Sequence, residues 1–225
     1  MSRTVLVVGG SRGIGAAVAN YLCDKGDRVY SVSRSPSTAG DWIKADVSTT
    51  AGIQAIRDAV GSESLDALLY MGGVWEKNAF TDGYDFLKSS GEETRFVVNV
   101  NAIAPIEITR ALSENLAKAK NPRAIYIGAL SGLDHLASAE VANTASKFAL
   151  RGAIQALRIA LRRHQIGFTV INPGNVATEE VMLDIEEGRF SAQTPVPLQD
   201  IFSTIEWILS VSRSVEIGEV NLWQK

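Results

Sequence analysis

Thr4-Val5-Leu6-Val7-Val8, then Gly9-Gly10-Ser11-Arg12-Gly13-Ile14-Gly15, then the residues on to Lys25, decide the fold. The first five are apolar and mostly β-branched, the pattern of a buried strand, and Gly9-Gly10 stop them. From there Ile14, Val18, Tyr21 and Leu22 recur at helical spacing, and Gly26 stands where a helix ends. Strand, glycine turn and helix in one short stretch make the first half of a βαβ unit. Glycines at such a turn let a pyrophosphate approach the backbone, and the following helix N-terminus is electropositive. A glycine cluster says little alone; the strand before it and the helix after it give it meaning.

The same alternation continues outward. Val29–Ser33, Trp42–Ala45, Leu65–Met71, Arg123–Ile127, Phe168–Ile171 and Ile217–Leu222 read as strands. Helices are expected from a Ser48 cap to about Val60, over Glu92–Lys120 with a kink at Pro105, and over Glu140–Arg163, Thr178–Ile185 and Leu198–Leu209. Near-continuous apolar strands separated by helices predict an α/β fold: a doubly wound, parallel Rossmann sheet of about seven strands, covered on both faces. With no linker or repeat, residues 1–225 read as a single domain. Glu76–Gly91 and Glu186–Val196 are the least regular segments and follow strand ends on the face where open α/β sheets bind ligands. With Trp75 and Met182 to Phe190 they could build an apolar substrate wall.

Charge and cysteine content narrow the class. The 225 residues carry 22 Lys+Arg against 25 Asp+Glu, a formal net charge of −3, which argues against a broad nucleic-acid footprint. No apolar run approaches the ~18–20 residues of a bilayer span. The single Cys23 excludes an intrachain disulfide and fits a reducing compartment; without a signal pattern after Met1, a cytoplasmic protein is expected. Cys23, His135 and His164 show no metal-ligand spacing.

Taken in order, several motifs resemble the short-chain dehydrogenase/reductase family over nearly the whole chain. Gly9, Gly13 and Gly15 match its Gly-x-x-x-Gly-x-Gly turn. Asp46-Val47 resembles its adenine-contacting pair, Asn99 in Asn99-Val100-Asn101 its helix asparagine, and Lys147 in Ala145-Ser146-Lys147 its active-site lysine. Pro173-Gly174 with Val176 and Thr178 resembles its nicotinamide-side loop. The resemblance implies a nicotinamide dinucleotide held by these residues with Ser11, Arg12, Ile14, Gly72, Gly73 and Lys147, and hydride exchange with a carbonyl or alcohol. At the end of the second strand, Ser33-Arg34 replaces an acid, and Arg12 lies in the glycine turn. Two guanidiniums suit a 2′-phosphate, so NADP(H) is expected over NAD(H).

At the chemical end the pattern breaks. The family uses a serine to hold the substrate oxygen and a tyrosine, four residues before the lysine, to move the proton. Here those positions read Ala129 and Asn143, leaving Asn99 and Lys147 as the catalytic residues the resemblance retains. An amide donates a hydrogen bond but is no acid or base near neutral pH. Ser131, His135 and Ser138 stand close enough in sequence to substitute, His135 having the apt pKa. Tyr70, where the family carries asparagine, is a remoter candidate. Tyr21 and Tyr84 each precede a lysine by four residues but do not follow the right strand. Three functions compete: an NADP(H)-dependent reductase with substitute acid groups, a non-catalytic nucleotide-binding sensor, scaffold or inactive subunit, and a non-redox enzyme using Lys147 or His135. Val141, Ala145, Phe148, Ala149, Gly152, Ala156 and Ile159 form a helical stripe, part expected to pack on the sheet and part to join copies as a homodimer or homotetramer.

Overall fold

The computed structural model describes residues 2–190 and 192–225. Seven parallel strands form one sheet in the order β3-β2-β1-β4-β5-β6-β7. Central β1 (Thr4–Val8) pairs with β2 (Arg28–Ser33) on one side and β4 (Ala67–Tyr70) on the other. β3 (Asp41–Lys44) completes the first edge; β5 (Arg123–Ile127), β6 (Gly167–Pro173) and β7 (Glu219–Leu222) extend the second. The winding direction reverses between β1 and β4, which opens a crevice at their C-terminal ends.

Alternation along β1 feeds two cores. Leu6 and Val8 pack with Ile56 of α2 (Thr50–Val60), Ile108 and Leu112 of α4 (Ala104–Ala117), and Leu150 of α5 (Val141–Ala160). Val5 and Val7 pack with Val18 and Leu22 of α1 (Gly13–Asp24) and Ile201, Ile205 and Ile208 of α7 (Leu198–Ser210). Each such side chain contributes about 1.5–3 kcal/mol when fully buried, so both faces hold the sheet in register.

Three expectations change. The cap of α2 is Thr49, whose hydroxyl accepts from Gly52 N at 3.0 Å; Ser48 is drawn back instead, its N–H and hydroxyl both donating to Asp46 Oδ1. The helix expected over Glu92–Lys120 divides into α3 (Gly91–Val98), a widened π-type turn over Asn99–Ile103, and α4. Within that turn Ala104 N bonds Asn99 O, five residues back. In the same register the Val100 carbonyl would await the N–H of Pro105, which proline lacks. Tyr70 at the end of β4 answers it: its hydroxyl donates to Val100 O at 2.6 Å in a buried bond. Finally, the α5 stripe does not touch the sheet. Val141, Ala145, Phe148, Ala149, Gly152, Ala156 and Ile159 are all exposed, while Ala142, Asn143, Ser146, Lys147, Leu150 and Ile154 face inward. The inward face is less apolar than the outward one because it builds the cleft.

Among the described residues no helix is long and apolar enough to cross a membrane, and no cluster of three or more His, Cys, Asp or Glu could hold a metal ion.

Candidate functional site

A cavity of about 460 Å³ runs along the C-terminal ends of the strands, from the glycine turn to Phe190. Its first half is made mainly of backbone. Gly9 has φ 89°, and a Cβ there would lie 2.7 Å from Gly72 Cα, so the turns after β1 and β4 touch main chain to main chain. A Cβ on Gly15 would collide with the Gly9 carbonyl; this glycine lets α1 press up beneath the turn and does not itself line the cavity. Ser11, Arg12, Gly13 and Ile14 do line it. Among the described residues no side chain caps α1, so its first N–H groups have no side-chain acceptor, an arrangement that suits an anion.

The β2 end carries the charge. Arg34 lines the cavity and has no hydrogen bond or ion pair to any described residue. Ser33 beside it is engaged: its hydroxyl donates to Ser35 O at 2.6 Å and accepts from Trp42 Nε1 at 3.1 Å. Bonds from Ser48 hold the Asp46 carboxyl below its ordinary pKa, and the field of Arg34 adds to them. Arg12 reaches Glu180 at 3.3 Å, an exposed pair of the kind that contributes little. Val47, Gly72, Gly73, Pro173, Gly174, Val176 and Thr178 line the same cavity, and Thr178 also caps α6 (Glu179–Glu186).

The second half is made of side chains. Lys147 lies buried on the inner face of α5, and its Nζ donates to Ile127 O at 3.2 Å. Burial pushes its pKa down to about 8. Asn143, one turn earlier, is 4% exposed and lines the cavity, and its side-chain amide has no hydrogen-bond partner among the described residues. Ala129 and Ser131 also line it. His135 does not: it is exposed, outside the cavity, with φ 66°. Ser138 shares its hydroxyl with Thr144 at 3.1 Å. Of the sequence-based substitutes, only Ser131 therefore reaches the site. Tyr70 lines the cavity too, but its hydroxyl is committed to Val100 O and burial drives its pKa upward. Tyr21 stacks on Phe202, and Tyr84 accepts from Val141 N at 3.2 Å; neither lines the cavity.

Asn99 is not the asparagine beside the lysine. Its Nδ2 donates to Ser48 O at 2.8 Å, toward the start of α2. Asn101 holds that place: Oδ1 accepts from Val74 N at 2.9 Å, and Nδ2 donates to Val74 O at 2.7 Å and Ser146 Oγ at 3.0 Å. A Cβ on Gly73 would lie 3.6 Å from Lys147 Nζ and 3.8 Å from Asn101 Oδ1, so the two flank Gly73. Residues two apart on a helix of ~3.6 residues per turn face nearly opposite ways, so choosing between two neighbouring asparagines reverses the outcome. In the fold Val97, Ala104 and Ile108 form a buried series that Asn101 completes at helical spacing and Asn99 does not.

Sequence reasoning missed three further residues. Glu76 Oε1 accepts from Ala142 N at 2.6 Å and Asn143 N at 3.2 Å, capping α5 from outside the helix. Glu140 Oε1 accepts from Phe80 N at 2.8 Å. Gln224 lines the cavity, and its Oε1 accepts from Asn175 N at 3.2 Å. An acid beside a helix start is a readable hint for Glu140; Glu76 and Gln224 meet their partners only through the fold.

A family model described as short chain dehydrogenase matches residues 3–187. The chain belongs to the short-chain dehydrogenase family. Its curated relatives include a rhamnolipid-biosynthesis 3-oxoacyl-[acyl-carrier-protein] reductase of Pseudomonas aeruginosa, 32% identical over 189 residues, covering 76% of this chain and 72% of that protein. The 3-oxoacyl-[acyl-carrier-protein] reductase FabG of Salmonella typhimurium is 24% identical over 96% of this chain and 93% of its own length. Among solved structures, ElxO with NADP bound superposes with a TM-score of 0.84 at 18% identity, over 99% of this chain and 97% of that one. A 4-hydroxyisoleucine dehydrogenase complexed with NADH gives 0.81 at 25% identity, over 98% and 96%. This short-chain dehydrogenase therefore has structural neighbours with either nicotinamide dinucleotide.

Proposed function

We propose that this short-chain dehydrogenase binds NADP(H) and does not run an ordinary serine–tyrosine–lysine reduction. The residues present fit the cofactor: a turn whose glycines leave room for phosphates, an uncapped helix N-terminus, and a guanidinium, Arg34, without a partner. When bound, NADP(H) supplies the hydride. Arg34 grips the 2′-phosphate, and Arg12 joins it on leaving Glu180. Lys147 hydrogen-bonds the nicotinamide ribose from its place beside Gly73.

The observation that carries the catalytic half is the unpaired Asn143 amide lining the cavity one turn before Lys147. It can hold a substrate oxygen, as can the Ser131 hydroxyl, but it cannot give up a proton near neutral pH. Carbonyl reduction lacking its acid runs ~10²–10⁴-fold slower, which makes the chain a nucleotide-binding protein with weak turnover or none. Fluorescence titration with NADPH and NADH, followed by turnover on a carbonyl panel, tests both halves. NADPH should bind more tightly and the panel should turn over slowly; equal affinities refute the cofactor assignment, and brisk turnover refutes the disabled site.

The exposed face of α5 supports self-association through a second copy of the chain. A Cβ on Gly152 would meet nothing within 4 Å, and the small residues around it permit close helix approach. Light scattering at micromolar concentration should give a dimer or tetramer mass; a monomer mass overturns this.

A further inference from the structure

Beyond Lys147 the cavity is walled by Trp75, Phe80, Leu130, Val181 and Phe190. Trp75 and Phe80 are 53% and 40% exposed, large apolar surfaces offered to whatever enters. Their rings meet edge to face, with centroids 6.1 Å apart and planes at 65°. The loop bearing them is fixed at three points by buried polar groups. Asn101 grips both the N–H and the carbonyl of Val74. Glu76 reaches from the loop to the first N–H groups of α5, and Glu140 reaches back from α5 to Phe80 N. Asn78 and Phe80 are held at φ 59° and 63°, a conformation that costs a non-glycine residue energy. Glu76 Oε2 is buried with no hydrogen-bond partner among the described residues, a further penalty. Two buried carboxylates, one orphaned oxygen and two strained residues are a poor way to stabilise a loop and an effective way to aim its aromatic rings.

We infer that Trp75 and Phe80 form a preorganised shelf for an uncharged aromatic ring, whose single carbonyl or hydroxyl oxygen is held by the Asn143 amide. This rests on the proposed nucleotide site only for the ring's neighbour. The ring follows from edge-to-face geometry, since a third aromatic group can extend the Trp75–Phe80 arrangement. The single oxygen follows from the unpaired amide of Asn143 and the hydroxyl of Ser131, both of which line the cavity. The lack of charge follows from the wall and from the cations near it: Trp75, Phe80, Leu130, Val181 and Phe190 are apolar, Lys147 Nζ donates to Ile127 O, and Arg189 is engaged by Asp184 and Glu187. An anionic head placed against the aromatic wall would have to break one of these contacts or stay unpaired.

Calorimetry with three probes tests the inference: acetonaphthone, naphthoate with the same rings and a charged head, and decanone with the same ketone and no ring. Each is titrated with and without saturating NADPH. Acetonaphthone should bind at least about tenfold more tightly than either other probe. Trp75→Ala and Phe80→Ala should each weaken it about tenfold, which is about 1.4 kcal/mol, while the NADPH Kd stays within about twofold. Trp75→Phe should keep most of the affinity. Naphthoate or decanone binding as tightly as acetonaphthone overturns the inference, a result that requires no variant to fold. So do unchanged acetonaphthone affinities in both alanine variants. If NADPH fails to bind while acetonaphthone still does, the proposed function falls and the shelf stands; NADPH binding with no acetonaphthone binding overturns the shelf alone.

Discussion

The two halves of the cleft are built from different materials. Around Gly9, Gly13 and Gly72 the ligand-facing surface is main chain and helix N-terminus, and the charge is added by Arg34, Arg12, Asp46 and Glu180. Around Lys147 every group that matters is a side chain: Asn143, Ser131, Ala129 and the aromatic shelf. A backbone surface survives most substitutions as long as the glycines remain, because the peptide groups are the same in any sequence. A side-chain surface changes chemistry with each residue. The family fold therefore persists in this chain, while the groups beside Lys147 that face the cavity are an amide, Asn143, and a methyl group, Ala129.

The largest effect should come from restoring side chains alone. Ala129→Ser with Asn143→Tyr, on an otherwise untouched frame, should raise NADPH-dependent carbonyl reduction ~10²–10⁴-fold, with much less from either change singly because the groups act as a unit. Lys147 remains to stabilise the phenolate. A double variant that binds NADPH and gains nothing would break the comparison, since the chemical end would then lack more than two side chains.

Next comes the charge at the nucleotide end. Arg34→Asp removes a charge-assisted contact worth ~1.5–3 kcal/mol, so the NADPH Kd should rise ~10–150-fold while NADH binding changes little. Loss of both nucleotides alike would mean that Arg34 supports the turn and does not select the phosphate.

A smaller effect belongs to the joint between the halves. Tyr70→Phe should lower stability by about 1–3 kcal/mol, read from urea unfolding, because the buried Val100 carbonyl loses its donor. A neutral result would mean that the carbonyl finds another partner on relaxation.

The remaining effect is electrostatic. Lys147 titrates near 8 when folded, below its ordinary 10.5, so between those values the unfolded chain holds more protons. Stability contributed by this group therefore rises with pH across that window. Relative to Lys147→Met, the unmodified protein should gain stability from pH 8 toward pH 10. A difference that does not change with pH would place the lysine's proton in water.

The sequence by itself determined the sheet, its winding and the nucleotide turn, because these depend on local regularities: the apolar run Thr4–Val8, the helical spacing after Ile14, and glycines that must stay glycine. Counting back four from Lys147 is also a sequence operation, and it lands on Asn143. Tertiary structure alone decided which asparagine meets the lysine, because Asn99 and Asn101 share one short stretch and differ only in the way they face. It alone excluded His135, left Ser131, committed Tyr70 to a carbonyl that Pro105 orphans, and turned the whole α5 stripe outward. The clamp between Glu76 and α5 joins residues 66 and 67 positions apart. Periodicity reports which side of an element is apolar, but the partner across a loop of that length is set by where the packed sheet places the two ends.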